Sequence, residues 1–302
     1  MTSSYHDPVL LRESVDALVG DINGVYVDAT MGGGGHTREI LSRLGKKGTL
    51  FGFDQDESTG VNAPDDERFT WVRHNYRHLK RFLSYFGADG VDGILADFGV
   101  SSHQFDQADR GFSIRFEGPL DMRMSRSAKR TAATVCNSYS EQELIRIFKE
   151  FGELRNAREL VRVIINQRGT APLTTTTELK ELILPLAERG NESQYLARVF
   201  QALRIEVNDE LEAIREFLQQ SAAVLKSGGK LVIISYHSLE DRLVKQFIAH
   251  GKFEGEAERD LFGNTEKVPF SAVKKKPVEP DENEIARNPR ARSAKMRIAI
   301  KN

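Results

Sequence analysis

Three aspartates in the first hundred residues each close a short apolar run: Asp28, Asp54 and Asp97. The first opens Asp28-Ala-Thr-Met-Gly32-Gly-Gly-Gly35-His36, a turn so dense in glycine that another group must come close to its backbone. A phosphate cradle would need Lys and then Ser or Thr after the glycines. The dinucleotide pattern Gly-x-Gly-x-x-Gly also fails, because Thr37 and Arg38 stand where its third glycine should be. An acid, a turn and glycines remain, a pattern suited to a ligand with a nucleoside and an amino-acid tail but no phosphate. Asp54 follows Gly35 by nineteen residues, and a carboxylate there can accept both hydroxyls of a ribose lying across the strand ends. Aspartate also begins turns, and Asp56 could do so here. Asp97 begins Asp97-Phe-Gly-Val-Ser-Ser-His-Gln104, where an acid could serve a cationic centre or an amine, or simply end a strand.

These aspartates need a scaffold, and the spacing supplies one. Segments 24–28, 48–54, 69–73 and 91–97 are rich in β-branched and aromatic residues, and their starts are 24, 21 and 22 residues apart. That leaves room for helices such as 38–44 and 78–86, giving right-handed βαβ units around a parallel sheet. Ligands of open α/β sheets bind at the carboxyl ends of the strands, where these aspartates stand. A further strand is expected at 229–235, after an amphipathic helix from Asn208, as its cap, to Lys226. The roughly hundred residues between Asp97 and that helix exceed any ordinary connection. They read as helices at 141–151, 154–167, 177–189 and 194–207. The expected organisation is a discontinuous core, 1–104 with 206–302, and an inserted helical domain, 105–205. Residues 294–300 read as an edge strand, and 278–288 as a polar mobile loop.

Composition narrows the classes. No apolar run is long enough to span a bilayer, and the N-terminus lacks the charged start of an export signal, so a soluble, cytoplasmic protein is expected. The lone Cys136 cannot form an intrachain disulfide and reads as an inert buried thiol. Net charge is −1, against a globally basic nucleic-acid binder, yet from Glu266 onward ten Lys or Arg face five Asp or Glu. Such a tail suits an anionic partner or serves as a solvated, solubilising end. A ligand matching the glycine turn and Asp54 is S-adenosylmethionine, and no metal is expected.

Taken in order along the chain, the motifs resemble those of the ribosomal RNA small-subunit methyltransferase H family, the MraW-type enzymes. The matching segments are His6-Asp-Pro-Val-Leu-Leu11, Asp28 to His36, Gly52-Phe-Asp54-Gln-Asp56, Asp97 to Gln104, Ala108-Asp-Arg-Gly-Phe112 and Gly118-Pro-Leu-Asp-Met-Arg-Met124. Further on come Phe200 to Glu210, Ser235-Tyr-His-Ser-Leu-Glu-Asp-Arg242 and Asn288-Pro-Arg-Ala-Arg-Ser-Ala-Lys295. The chain departs from the family pattern at His103 and over 193–198. The resemblance implies a Rossmann-like class I S-adenosylmethionine methyltransferase core with an inserted helical domain. It implies methylation of N4 of a cytidine in the decoding region of 16S ribosomal RNA, within the small subunit, and it is compatible with a homodimer. Carried over by position, the cofactor contacts are Gly34, Gly35, His36, Asp54, Tyr76, Asp97 and Gln104.

The insert would then recognise RNA. Arg155, Arg158 and Arg162 at helical spacing could meet phosphates or pair with Glu150, Glu153 and Glu159, and Arg110, Arg290, Arg292 and Lys295 are the other candidate RNA contacts. Methyl transfer from a sulfonium is an in-line displacement, so alignment is the main task. Asp97 is the first candidate to hold the N4 amine and His237 the second, although His237 could equally cap a helix, and water could take the proton. A dehydrogenase on the same core is disfavoured by the missing third glycine. A non-catalytic RNA-binding factor would more readily have lost the glycine turn or a strand-end aspartate.

Overall fold

The computed structural model describes residues 8–255 and 268–302. The chain divides into two compact units, Met1–Gly99 with Leu211–Asn302, and Val100–Glu210. In chain order the first unit contributes α1 (Leu11–Leu18), β1 (Val25–Asp28), α2 (Gly35–Arg43), β2 (Thr49–Phe53), β3 (Phe69–Val72), α3 (Leu79–Tyr85) and β4 (Val91–Asp97). The second carries α4 (Ser102–Asp106), α5 (Ala132–Ser138), α6 (Glu141–Glu150), α7 (Ala157–Thr170), α8 (Thr176–Ile183) and α9 (Glu192–Asn208). The chain continues with α10 (Glu210–Val224), β5 (Leu225–Ser235), α11 (Ser238–His250), β6 (Phe270–Ala272), α12 (Glu282–Arg287) and β7 (Lys295–Lys301).

The strands form one sheet in the order β3-β2-β1-β4-β5-β7-β6. The first five are parallel, and β7 runs antiparallel between β5 and β6. Strand side chains alternate between the two faces. Val27, Ile94, Leu231 and Ile233 join Leu79, Phe217 and Phe247 from α3, α10 and α11. Tyr26, Leu95, Val232 and Ile234 join Val15 and Ile40 from α1 and α2 on the other face. Burial on both faces explains why the strands read as almost continuous apolar runs.

The second unit has its own core, in which Leu144, Ile147, Phe148, Leu160, Ile164, Leu179, Val199 and Phe200 are buried together. Its helix starts are written locally. Ser140 with Glu143, and Thr175 with Glu178, form reciprocal capping boxes at α6 and α8. Cys136 lies in this core, and burial pushes its thiol up to about 12, which keeps it protonated. Among the described residues no helix is long and apolar enough to cross a membrane.

Several sequence expectations are corrected. Asn208 does not open α10; it ends α9, and its side chain accepts from the Met124 amide at 2.7 Å and donates to the Met122 carbonyl at 2.8 Å. The break between α9 and α10 is Asp209, at φ 52°. β7 is not an edge, because the short β6, which sequence patterning did not reveal, lies outside it. Residues 278–288 are not a loose loop. Val278 bridges Met296, Asp281 caps α12, and the Glu284 carboxylate accepts from the Leu10 amide at 2.7 Å. The helix expected over 154–167 starts at Ala157 instead, which leaves Arg155 in the preceding turn.

Candidate active site

At the carboxyl ends of β1, β2, β4 and β5 the first unit gathers three carboxylates and a tyrosine. Asp28 is fully buried; it accepts the Thr37 hydroxyl at 2.6 Å and the Thr30 amide at 3.1 Å. Burial raises its proton affinity, against the opposing influence of His36 and the two threonines. The Thr30 hydroxyl in turn accepts the Asp97 amide at 2.7 Å, so the ends of β1 and β4 are tied through one side chain.

The glycine turn is fixed by its own chain. Met31 N donates to Phe53 O at 2.9 Å and Gly34 N to Met31 O at 2.7 Å. Gly34 precedes α2 at φ 75°, a conformation that disfavours a side chain, and no side chain caps the helix there. At Gly35 the close neighbour demanded by the sequence is Pro8, whose Cγ lies 2.1 Å from where a Cβ would sit. Part of the glycine density therefore serves internal packing. Asp54, just past β2, accepts from Gly32 N and Asp56 N, both at 2.8 Å. Burial pushes its carboxyl up to about 7 against those two hydrogen bonds, although part of its surface still meets solvent. Asp56 does begin a turn, accepting from Ser58 N at 3.0 Å.

Asp97 ends β4 in register with Ile234, and the Tyr236 hydroxyl two residues beyond donates to Asp97 Oδ1 at 2.7 Å. Burial lifts the Asp97 carboxyl to about 6; His36 and the Tyr236 hydrogen bond pull the other way. Tyr236 itself titrates well above its ordinary value because it is buried beside that carboxylate. Sequence reasoning missed Tyr236, although its position at the end of the strand adjoining β4 was the available signal.

The other candidates have mixed placements. His36 is buried with Nε2 3.1 Å from the Val9 carbonyl, so its ring fastens the N-terminal segment. The Tyr76 ring packs 5.2 Å from Phe217 and 5.7 Å from Phe98, centroid to centroid. His237 is the N-cap of α11; Nδ1 accepts from Glu240 N at 3.5 Å, and Nε2 lies 3.2 Å from Glu240 Oε1. That is the capping role left open by the sequence, and it engages Nδ1, whereas Nε2 is buried beside the Glu240 carboxylate with no hydrogen-bond partner among the described residues. Gln104 belongs to the second unit, buried, with its Oε1 accepting from Ser101 N at 3.1 Å. The His103 side chain and residues His6 and Asp7 lie outside the described ones.

Among the cations, Arg110 is withdrawn from phosphate contact. Its side chain is 3% exposed and donates to the carbonyls of Arg123 and Met124 at 2.9 and 2.8 Å. Arg158 and Arg162 are exposed on α7, one turn apart, whereas Arg155 is exposed in the turn before it. The expected single face of three arginines is therefore reduced to two. Arg290 and Arg292 are exposed on a 3-10 turn, and Lys295 is half-buried at the start of β7.

Tyr236→Phe removes the one hydroxyl that donates to Asp97 Oδ1 among the described residues and leaves the ring packing in place. The Asp97 carboxyl should then titrate higher than in the wild type, because its ionised form loses a donor. Carbon-13 NMR titration of the aspartate carboxyls reads this directly, and an unmoved Asp97 midpoint would refute the coupling.

A sheet with five parallel strands and an antiparallel β7 inserted between β5 and β6 is the Rossmann-like class I methyltransferase arrangement expected from the sequence. The family model described as the MraW methylase family matches residues 3–302. A protein named ribosomal RNA small subunit methyltransferase H from Parabacteroides distasonis is 53% identical over 300 residues, covering 99% of this chain and 98% of the relative. Its namesake from Flavobacterium johnsoniae is 54% identical over 300 residues, covering 99% of both. Among solved structures, an rRNA methylase from Streptococcus thermophilus matches at 11% identity with TM-score 0.42, over 96% of this chain and 93% of that one. With the family model spanning nearly every residue and relatives above half identity along their whole length, the chain belongs to the MraW methylase family.

Proposed function

We propose that this protein uses S-adenosylmethionine to methylate N4 of a cytidine in the decoding region of 16S ribosomal RNA, in the cytoplasm. The observation that carries the reading is Asp97: a carboxylate at the end of β4, fixed through one oxygen by Tyr236, beside the glycine turn and Asp54. Ribosomal RNA as substrate is supported by the names of relatives more than half identical. Position N4 and the decoding region follow from the motif resemblance.

The residues present fit the cofactor. Asp54 is held by two backbone amides yet keeps an exposed side, as an acceptor for a ribose diol must. The N-cap of α2 is Gly34, which offers no capping side chain, and although the Thr37 amide is taken by Asp28, the amides of Gly35 and His36 before it can meet the carboxylate of an amino-acid tail. Bound there, S-adenosylmethionine supplies an activated methyl group on a cationic sulfur.

The protein's own work is alignment. Cytosine N4 is a weak nucleophile because its lone pair is delocalised into the ring, so an acceptor for the N4 hydrogens both orients the amine and stabilises the charge that grows on it. Asp97 Oδ2 is the group for this, because Tyr236 occupies Oδ1. A carboxyl lifted to about 6 is ionised at neutral pH yet basic enough to take a proton as the methylated amine loses one. The exposed Arg158 and Arg162 on α7 give the helical unit an RNA-facing role, with Arg155, Arg290, Arg292 and Lys295 as further phosphate contacts.

Mass mapping of methylated nucleosides in small-subunit RNA from cells with and without the gene tests the whole reading. One N4-methylated cytidine in the decoding region should disappear with the gene, and an unchanged map would end the proposal. For the cofactor, Asp54→Ala should weaken S-adenosylmethionine by about 1–3 kcal/mol in calorimetry. The ionised Asp54 is the acceptor and its carboxyl titrates at about 7, so wild-type affinity should rise as pH climbs through 7. That pH dependence should flatten in Asp54→Ala, and equal affinities would remove Asp54 from the site. Asp97→Asn keeps one acceptor but no charge, and should lower the single-turnover rate roughly 10²–10³-fold with a much smaller loss of cofactor affinity. Recovery of the wild-type rate at saturating cofactor would reassign Asp97 to cofactor binding alone.

A further inference from the structure

The sheet register extends the line of Asp97 outward to a cluster of lysines. Asp97 pairs with Ile234 on β5, Ile234 with Met296 on β7, and Met296 bridges Val278 beyond it. With neighbouring strands roughly 4.8 Å apart, Val278 stands about 14 Å from Asp97 along that rung. Just before it, the chain bows away from β7. Val273 N donates to the Ile298 carbonyl at 2.9 Å, and Val278 exchanges two 2.8 Å hydrogen bonds with Met296. Between those anchors lie Lys274, Lys275, Lys276 and Pro277, a short arch pinned at both feet and stiffened by the proline.

All three lysines are exposed, and among the described residues no ion pair joins any of them to a carboxylate. Several other cations of this unit are already engaged. Arg297 grips Asp241 through two hydrogen bonds of 2.6 and 3.0 Å, Lys226 holds Asp92 at 2.8 Å, and Arg77 holds Glu216 at 2.6 Å. Of the acids downstream of the arch, Asp281 caps α12 and Glu284 holds the Leu10 amide, while Glu279 and Glu282 are exposed and form no ion pair with the three lysines among the described residues. Three adjacent like charges on a fixed loop repel one another, and an anionic partner relieves that repulsion.

We propose that the 274–276 arch is a docking surface for the phosphate backbone of the RNA strand that carries the target nucleotide. This rests on the reading of Asp97 as the place where that nucleotide is held. At about 3.4 Å per stacked nucleotide, the roughly 14 Å between Asp97 and Val278, the near foot of the arch, spans about four nucleotides. The arch then takes phosphates a few positions along the same strand, fixing its direction across the sheet without reading sequence.

The test replaces all three residues at once, Lys274→Gln, Lys275→Gln and Lys276→Gln, in the full chain. Lys46→Gln with Lys47→Gln, exposed in the turn before β2 at the opposite end of the strands, is the control. Binding of small-subunit RNA is measured by fluorescence anisotropy over a range of salt, with methyl transfer to small subunits alongside. The triple variant should bind RNA at least ~10-fold more weakly. Its slope of log affinity against log salt should be shallower by about 2, at roughly 0.7–0.9 for each phosphate that is no longer neutralised. S-adenosylmethionine affinity and the rate at saturating RNA should stay at wild-type values, as should every property of the control. An RNA affinity and salt slope equal to those of the wild type, or an equal weakening in the control, overturns the arch as a docking surface. Failure of the functional reading itself appears separately, as wild-type protein that transfers no methyl group to the subunit. The binding curves still decide on the arch in that case.

Discussion

The rest of the site hangs on one buried carboxylate. Asp28 sits at the end of the central strand with no solvent exposure, and it is tolerable there because the Thr37 hydroxyl and the Thr30 amide both donate to it. Those two donors belong to the elements on either side of the glycine turn, so the same bonds that satisfy the charge also set the path of the backbone. Thr30 passes the constraint on to Asp97 through its hydroxyl, and the turn passes it to Asp54 through the amide of Gly32. Three acids on three strands are thus positioned by a single network of short bonds. A site built on strand ends in this way keeps its geometry without needing a partner to impose it.

Burial has a second effect, on chemistry. Each of these acids is shifted toward the protonated form, Asp54 to about 7 and Asp97 to about 6, because ionised oxygen is poorly solvated at the strand ends. The donors around them hold the shift in check, and they differ. Asp54 has two backbone amides, whereas Asp97 has a phenol and the nearby imidazole of His36. The same residue type at the ends of the two strands that flank β1 is thereby given two proton affinities. His237, the alternative acid–base group in the sequence, caps the start of α11 through Nδ1.

Positive charge divides in a similar way between fold and surface. Arg110, Arg297, Arg77 and Lys226 are tied to carbonyls or carboxylates and serve the fold. Arg158, Arg162 and the three lysines before Pro277 are left on the surface of their own units. Charge counts along the chain cannot separate these two populations, since a buried arginine and a solvated one carry the same letter.

Much of the fold was legible in the sequence because it is written in local periods. Strands buried on both faces appear as apolar runs, their spacing announces the connecting helices, and Ser140 with Glu143 or Thr175 with Glu178 marks a helix start within four residues. The strand-end positions of Asp28, Asp54 and Asp97 followed from those runs. What tertiary structure alone decided is every relation between distant segments. Tyr236 reaches Asp97 across 139 residues, Pro8 fills the space that makes Gly35 necessary, and Val278 finds Met296 to bring the lysine arch into line with Asp97. Arg110 looked like a surface cation until the carbonyls of Arg123 and Met124 enclosed it. Side-chain period and backbone preference act over a few residues and can be read along the chain. Register, burial and the choice of hydrogen-bond partner arise only when the strands have met, because each depends on groups that the sequence keeps far apart.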